Sequence, residues 1–351
     1  MKKTIFVVSA FVLISVSQFA QGKISDTLFA ATWNLENLFD TINDQAKNDE
    51  EFLPDGIKEW TKERLDKKLY NIARVIRSMN NNKGPDILGV VETEHKSLLD
   101  SLGTKFLSDL NYEASYLESP DNRGIDNGLI YKKDLFTVLS VSGDTINLPD
   151  DYPTRLILKV KLLTKNDDTI YVFENHWPSR LGGEETSEVN RIAAAKVLRN
   201  DVENVLEQNP NSLILIMGDF NDEPANKSIS NILKAQPLIC DSTTLKVTGN
   251  LSSDLYNTAY GLYKEGLGTY KYKDDWNMLD QIIVSSSLLK GNRMKYICNS
   301  FHIYEPDLIV THSGKYKGTP FPTYGGNRYL GGYSDHFPVT AEFIITQRGK
   351  K

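Results

Sequence analysis

Cysteine is scarce. Cys240 and Cys298 are the only two in 351 residues, so a disulfide scaffold is excluded as the main support of the fold. Whether these two pair is left open by sequence, because pairing depends on how closely their Cα atoms approach. There is no excess of positive charge either. Lys and Arg total 40 against 46 Asp and Glu, a formal charge of −6. An acidic chain has no general attraction to polyanions, which argues against tight, non-specific nucleic-acid binding. Acidic substrates stay possible where cations neutralise a local site. No repeat, low-complexity tract or Gly/Ser linker follows Lys23. With 40% hydrophobic and 25% charged residues, disordered and fibrous classes are set aside. One domain over residues 23–351 is expected.

The longest apolar feature is near the N-terminus. Lys2-Lys3 precedes an apolar run from Ile5 to Val16, broken by Ser9 and Ser15, and Ala20 and Gly22 then offer a small-residue cleavage site. This is the anatomy of a signal peptide over residues 1–22, and the run is too short for a confident membrane span. No Cys follows it, which argues against a lipid-modified form. The mature protein is therefore expected to be secreted or periplasmic, without stable membrane insertion. Loss of Lys2 and Lys3 takes its charge to about −8.

Apolar runs alternate with helical patterns. Strands are expected at Leu28–Trp33, Asp86–Val91, Gly128–Tyr131, Leu156–Leu162, Ile170–Phe173, Ser212–Met217, Met278–Val284 and Phe337–Ile344. Several are continuously apolar, as in strands covered on both faces. Helices are expected over Thr61–Met79, where Leu65, Leu69, Ile72, Val75, Ile76 and Met79 recur at three- and four-residue spacing, and over Glu188–Leu206. The long Gly- and aromatic-rich loop Thr311–Tyr333 has a length common in functional loops.

Five apolar runs end in Asn, Asp, Glu or His: Trp33-Asn34-Leu35-Glu36, Val90-Val91-Glu92, Glu174-Asn175-His176, Gly218-Asp219-Phe220-Asn221 and Ser334-Asp335-His336. A carboxylate directly after an apolar strand has little structural purpose unless it is paired, caps a helix or binds a cation. Each segment alone has a plain reading. Asp219 and Asn221 would cap a turn before Glu223-Pro224, Glu92 would suit the first turn of a helix, His176 would be a hydrogen-bonded core histidine, and Asp335-His336 an ordinary loop. Their occurrence together in one domain points to a site built at strand ends.

In this order the segments resemble the motif series of the endonuclease/exonuclease/phosphatase superfamily: Trp33-Asn34, Glu92, Asn175-His176, Gly218-Asp219-Phe220-Asn221, Leu279-Asp280-Gln281 and Ser334-Asp335-His336. The resemblance runs from about residue 28 to 345. It implies an α/β fold, a four-layered sandwich of two mixed β-sheets packed face to face with helices outside. It also implies a divalent-metal-dependent hydrolase of phosphate esters. Glu92 is implied as the principal ligand of Mg²⁺, or of Mn²⁺ or Ca²⁺, with Asn34 near metal or phosphate and Asp335 in the same region. Asp219 would activate or orient the attacking water, Asn221 would hold the phosphate, His336 would stabilise phosphoryl oxygens or move a proton, and Asp280 would orient its ring.

Three further residues are candidates. Glu36 alternates to the same strand face as Asn34 and ranks below Glu92 as a second acidic ligand. Arg155 opens a strand where related enzymes often carry a phosphate-facing Arg. Arg180 would fork a phosphate, or be a solvated loop residue. His176 resembles the deoxyribonuclease, sphingomyelinase and inositol-phosphatase branches and disfavours an apurinic-site endonuclease. The leading expectation is an exported phosphodiesterase acting on nucleic acid, most simply a nuclease. A phosphatase or phospholipase acting on inositol phosphates or sphingomyelin is the alternative, and an inactive binding protein on the same scaffold the least favoured reading. Nothing in the sequence calls for a protein partner, and a monomer is expected.

Overall fold

The computed structural model describes residues 25–149, 151–241, 246–247 and 251–346. The expected signal peptide lies outside the described residues. Two seven-stranded mixed sheets dominate the chain. The first is built on β1 (Ser25–Leu38), β2 (Ile87–Thr93), β3 (Tyr112–Tyr116) and β4 (Asp126–Lys132), with later strands Met294–Tyr296, His302–Ile303 and Val339–Thr346. The second orders β5 (Phe136–Asp144), β6 (Ile157–Thr164), β7 (Thr169–His176) and β8 (Leu213–Asp219) ahead of Asp280–Ser285, Leu255–Asn257 and Ala235–Pro237.

Strand alternation explains the layering. Leu28 and Ala30 of β1 join Ile87, Leu129, Val160, Val172, Leu215, Met217 and Ile282 in the core between the sheets. Their neighbours Ala31 and Trp33 face the other way and pack with Leu65, Leu69, Ile72 and Ile76 of helix α1 (Lys62–Asn82). After the short helix α2 (Lys96–Ser101), the long helix α3 (Glu184–Gln208) covers the second sheet. Its Ala194, Ala195, Leu198 and Val202 pack on Phe173, Ile214 and Ile216. Each Leu or Ile so buried contributes about 1.5–3 kcal/mol. The result is helix, sheet, sheet, helix, the sandwich that the sequence implied.

All eight expected strands are present, and both expected helices. Thr61 caps α1 by accepting the Arg64 N–H, and helical dihedrals break at Met79, where the sequence pattern stops. The strands that escaped the sequence reading are edge or short ones. β5 and β3 lie at the edges of their sheets, and β5 is mostly exposed or half-buried, so neither carries a continuous apolar run. Cys240 and Cys298 do pair, with Cα atoms 5.6 Å apart and a sequence separation of 58. Closing a loop of that length is worth about 4 kcal/mol against the unfolded chain. Among the described residues no helix is long and apolar enough to cross a membrane.

Candidate active site

Strand register sets three acid–base residues abreast. His176 at the end of β7 pairs in parallel with Asp219 at the end of β8, and Asp219 pairs with Asp280 on the antiparallel strand beyond. The close approach explains the residue before Asp219. Gly218 has φ +129°, and a Cβ there would fall on the carbonyl oxygen of Asn175. The first sheet supplies Asn34 from β1, in register with Val91, and Glu92 just beyond it on β2. Glu36, Asn37, Glu92 and Asn221 all take left-handed φ, between 49° and 63°. Such backbone costs about 1–3 kcal/mol per residue and concentrates where function demands it.

The Ser334-Asp335-His336 segment is pinned over the same edge. Ser334 Oγ donates to the Asn34 carbonyl (2.6 Å) and accepts from the His336 N–H (3.0 Å), while Trp33 Nε1 donates to the His336 carbonyl (2.9 Å). The buried Asn34 Nδ2 then bridges the sheets, donating to Glu92 Oε1 and Asp219 Oδ2, both at 3.1 Å. Asp219 Oδ2 stands 3.9 Å from His176 Nε2 and 3.9 Å from His336 Nε2, and His176 Nε2 lies 3.8 Å from Glu92 Oε1. His336 Nδ1 is 2.7 Å from Asp280 Oδ2, which also accepts from Thr269 Oγ1 at 2.5 Å. Glu92, Asp219, Asp335, Asn34, His176 and His336 line one cavity of about 640 Å³. A larger groove of about 1310 Å³ beside Asp26–Phe29 and Asn80–Lys83 gathers no such set among the described residues.

The two imidazoles are pulled apart electrostatically. Burial works against a charged His336, yet the Asp280 carboxylate on Nδ1, helped by Asp219 and Asp335, holds it well above the ordinary histidine range. His176 is buried as well, and Arg155 and Arg123 oppose its charge, so it is held well below that range. The surroundings thus favour the charged form of His336 and the neutral form of His176. Burial pushes Asp219 up to about 6, with Asp280 adding to the rise and His336 opposing it. Burial and the charge of Glu36 push Asp335 to about 7. These are carboxylates short of positive charge. With Glu92 they give the cavity three carboxylates, the hard-oxygen type of donor that suits a divalent cation of the Mg²⁺, Mn²⁺ or Ca²⁺ class. Donor atoms of Asp219, Asp280 and His336 also lie within 4.8 Å of one another.

Of the sequence candidates, Asn221 and Arg180 also line the cavity. Asn221 Nδ2 donates to the Trp177 carbonyl (3.0 Å). The Arg180 guanidinium is engaged with the Asn221 carbonyl, Glu184 and Asn277, so it braces the rim. Two expectations, those for Glu36 and Arg155, need correction. Glu36 turns away from the cavity: its carboxylate accepts the N–H groups of Thr323 and Tyr324 and faces Lys68 Nζ at 3.9 Å. The left-handed backbone at Glu36 ends the strand alternation on which its candidacy rested. Asn34 stays in the cavity beside Glu92, its Oδ1 accepting the Glu36 N–H (2.9 Å) while its amide nitrogen faces the acids. Arg155 is buried behind the site, paired with Asp121 (3.1 Å) and donating to the Trp177 carbonyl (2.6 Å).

Three residues, Lys68, Arg123 and Thr269, went unread in sequence. Lys68 is fully buried, donating to the Glu36 and Tyr333 carbonyls and to Thr323 Oγ1. A lysine inside the apolar stripe Leu65, Leu69, Ile72 was its visible signal. Tyr270 stacks on His336, ring centres 4.6 Å apart. Arg123 lines the cavity. Thr269 and Arg123 had no motif to mark them.

The chain matches the endonuclease/exonuclease/phosphatase family over residues 29–345. No curated protein matches it. Among solved structures, an endonuclease/exonuclease/phosphatase family protein from Bacteroides thetaiotaomicron aligns with a TM-score of 0.55 at 14% identity, covering 93% of this chain and 100% of that one. The catalytic domain of human Nocturnin aligns at 0.53 and 15%, covering 92% and 98%. A mannosyl-6-phosphatase from Bacteroides thetaiotaomicron aligns at 0.52 and 14%, covering 91% and 100%. At such identities the likeness is one of fold.

Proposed function

The chain belongs to the endonuclease/exonuclease/phosphatase family, whose members are hydrolases acting on phosphate esters, and from that premise we propose that it is an exported, divalent-metal-dependent phosphodiesterase, most simply a nuclease. The observation that carries the reading is the position of Asp219 Oδ2, held 3.1 Å from Asn34 Nδ2 and equidistant, at 3.9 Å, from the two imidazoles. The 3.9 Å gaps are too long for direct hydrogen bonds, and suit a carboxylate that works on a water or phosphoryl oxygen lying between.

Glu92 and Asp335 would hold the cation, which when bound neutralises charge on the phosphoryl oxygens. The chain's own groups do the rest. Asp219, fixed by the Asn221 N–H on Oδ1 (2.8 Å) and Asn34 on Oδ2, orients the attacking water and accepts its proton. His336, kept charged by Asp280, presents Nε2–H to the charge that develops on the phosphoryl group. His176, kept neutral, adds a hydrogen-bonding imidazole without adding charge. Asn34 holds Glu92 and Asp219 at a fixed separation, so proton acceptor and cation site keep their geometry between turnovers.

Export rests on the signal-like segment over residues 1–22 and is supported by the Cys240–Cys298 pair, since disulfides persist in oxidising compartments. Purified protein assayed with Mg²⁺, Mn²⁺ or Ca²⁺ against DNA, RNA, bis(p-nitrophenyl) phosphate, p-nitrophenyl phosphate, sphingomyelin and inositol phosphates tests the substrate class. Cleavage of the nucleic acids and of the diester, ahead of the monoesters and the lipid, is the expected result. A clear preference for monoesters would replace the phosphodiesterase reading with a phosphatase one.

A further inference from the structure

A second acid–imidazole group lies just outside the catalytic cavity. Asp40 follows the end of β1, and Glu94 and His95 follow the end of β2. One donor atom from each of the three lies within 4.8 Å of the other two, and the Asp40 N–H donates to Glu94 Oε2 at 2.6 Å. None of the three lines the catalytic cavity.

Two features separate this group from an ordinary acidic surface. The first is Asp49, 1% exposed. Its Oδ2 accepts the Asp44 N–H at 2.9 Å, but its Oδ1 is buried without a hydrogen-bond partner, and its charge bears on Glu94. An interior carboxylate oxygen with no donor is costly unless something positive answers it. The second is the tether on His95. Its Nδ1 lies 3.2 Å from Glu118 Oε1, which orients the ring and leaves Nε2 for another partner. A carboxylate on one ring nitrogen is the arrangement that outer groups impose on metal-ligating histidines, whose second nitrogen is then free for the ion.

We propose that Asp40, Glu94 and His95 form a structural binding site for a zinc-class divalent cation, with Asp49 adding carboxylate charge and Glu118 setting the imidazole. Two carboxylates and an imidazole suit a borderline ion better than the all-oxygen set at Glu92 does. The site ties the segment after β1 to the segment after β2. Asn37, three residues before Asp40, donates its N–H to Glu92 Oε2 at 2.8 Å, so the ion steadies the turn that holds Glu92 in place.

The test uses the full chain, Zn²⁺ as probe and excess Mg²⁺ to occupy the hard-oxygen acids, with Zn²⁺ stoichiometry and affinity measured by calorimetry and the unfolding midpoint followed alongside. One Zn²⁺ per chain is expected, with a raised midpoint, and both should survive Asp219→Asn, which breaks the other Asp–Asp–His group. Glu118→Gln, at an exposed position, should weaken binding about 10–100-fold, and His95→Gln should abolish it together with the gain in midpoint. Absence of Zn²⁺ binding, or binding lost in Asp219→Asn and unchanged in Glu118→Gln and His95→Gln, would overturn the site.

Discussion

His336 Nδ1 lies 2.7 Å from Asp280 Oδ2, and that carboxylate is itself fixed by Thr269 Oγ1. The contact favours the charged imidazole against the opposing effect of burial. Replacing Asp280 with Asn keeps a neighbour of the same size but removes the charge that outweighs burial. The His336 pKa should then fall, so the alkaline limb of the kcat/KM profile should move to lower pH. His336→Ala should lower kcat by about 10²–10⁴-fold, with circular dichroism unchanged.

Lys68 offers a stability test. Its ammonium is the counter-charge to Glu36, and both are buried. Lys68→Met leaves Glu36 with amide donors alone, and removing one partner of a buried pair costs about 3–5 kcal/mol. Urea unfolding should show that loss, and adding Glu36→Gln should recover part of it.

Gly218 is required by geometry. Gly218→Ala would place a methyl group on the Asn175 carbonyl at a φ that L residues rarely adopt. Because Asp219 is the next residue, activity should fall more than fold stability. Comparing kcat/KM with the thermal midpoint separates the two effects.

Asp144 gives a pH dependence away from the site. Burial and the nearby Asp201 push its carboxyl up to about 7, against the pull of Lys159. In the unfolded chain it titrates near ~4. The folded form therefore favours the protonated group, whose contribution is complete below the unfolded value and is lost as pH rises through about 7. Asp144→Asn should match wild type in thermal midpoint at pH 4 and exceed it at pH 8.

The strand-end residues were legible because each closes an apolar run. β8 ends at Asp219 and β7 at His176, and the sequence shows both runs and both endings. What sequence could not show is direction. Glu36 follows Asn34 at the right spacing for one strand face, but left-handed backbone at Glu36 and Asn37 swings its carboxylate to Thr323 and Lys68. Arg155 lies two residues ahead of β6, and a partner 34 residues away, Asp121, draws the guanidinium inward. Asp280 could be named as the orienting acid, but Thr269, which shares the same oxygen, sits on a loop with no motif. Pairwise tertiary contacts of this kind leave no periodic trace in one sequence.

In the proposed reaction Asp219 readies a water beside a cation held by Glu92 and Asp335, and a comparison of rates with and without metal separates the two contributions. Hydrolysis of bis(p-nitrophenyl) phosphate is measured for wild type and Asp219→Asn, each with excess chelator and after Mg²⁺ or Mn²⁺ is restored. Wild-type turnover should vanish with chelator and return with the metal, while Asp219→Asn stays about 10²–10⁴-fold slower throughout. Turnover that survives chelation would rule out the cation's part in the reaction, and an Asp219→Asn variant as fast as wild type would rule out that of Asp219.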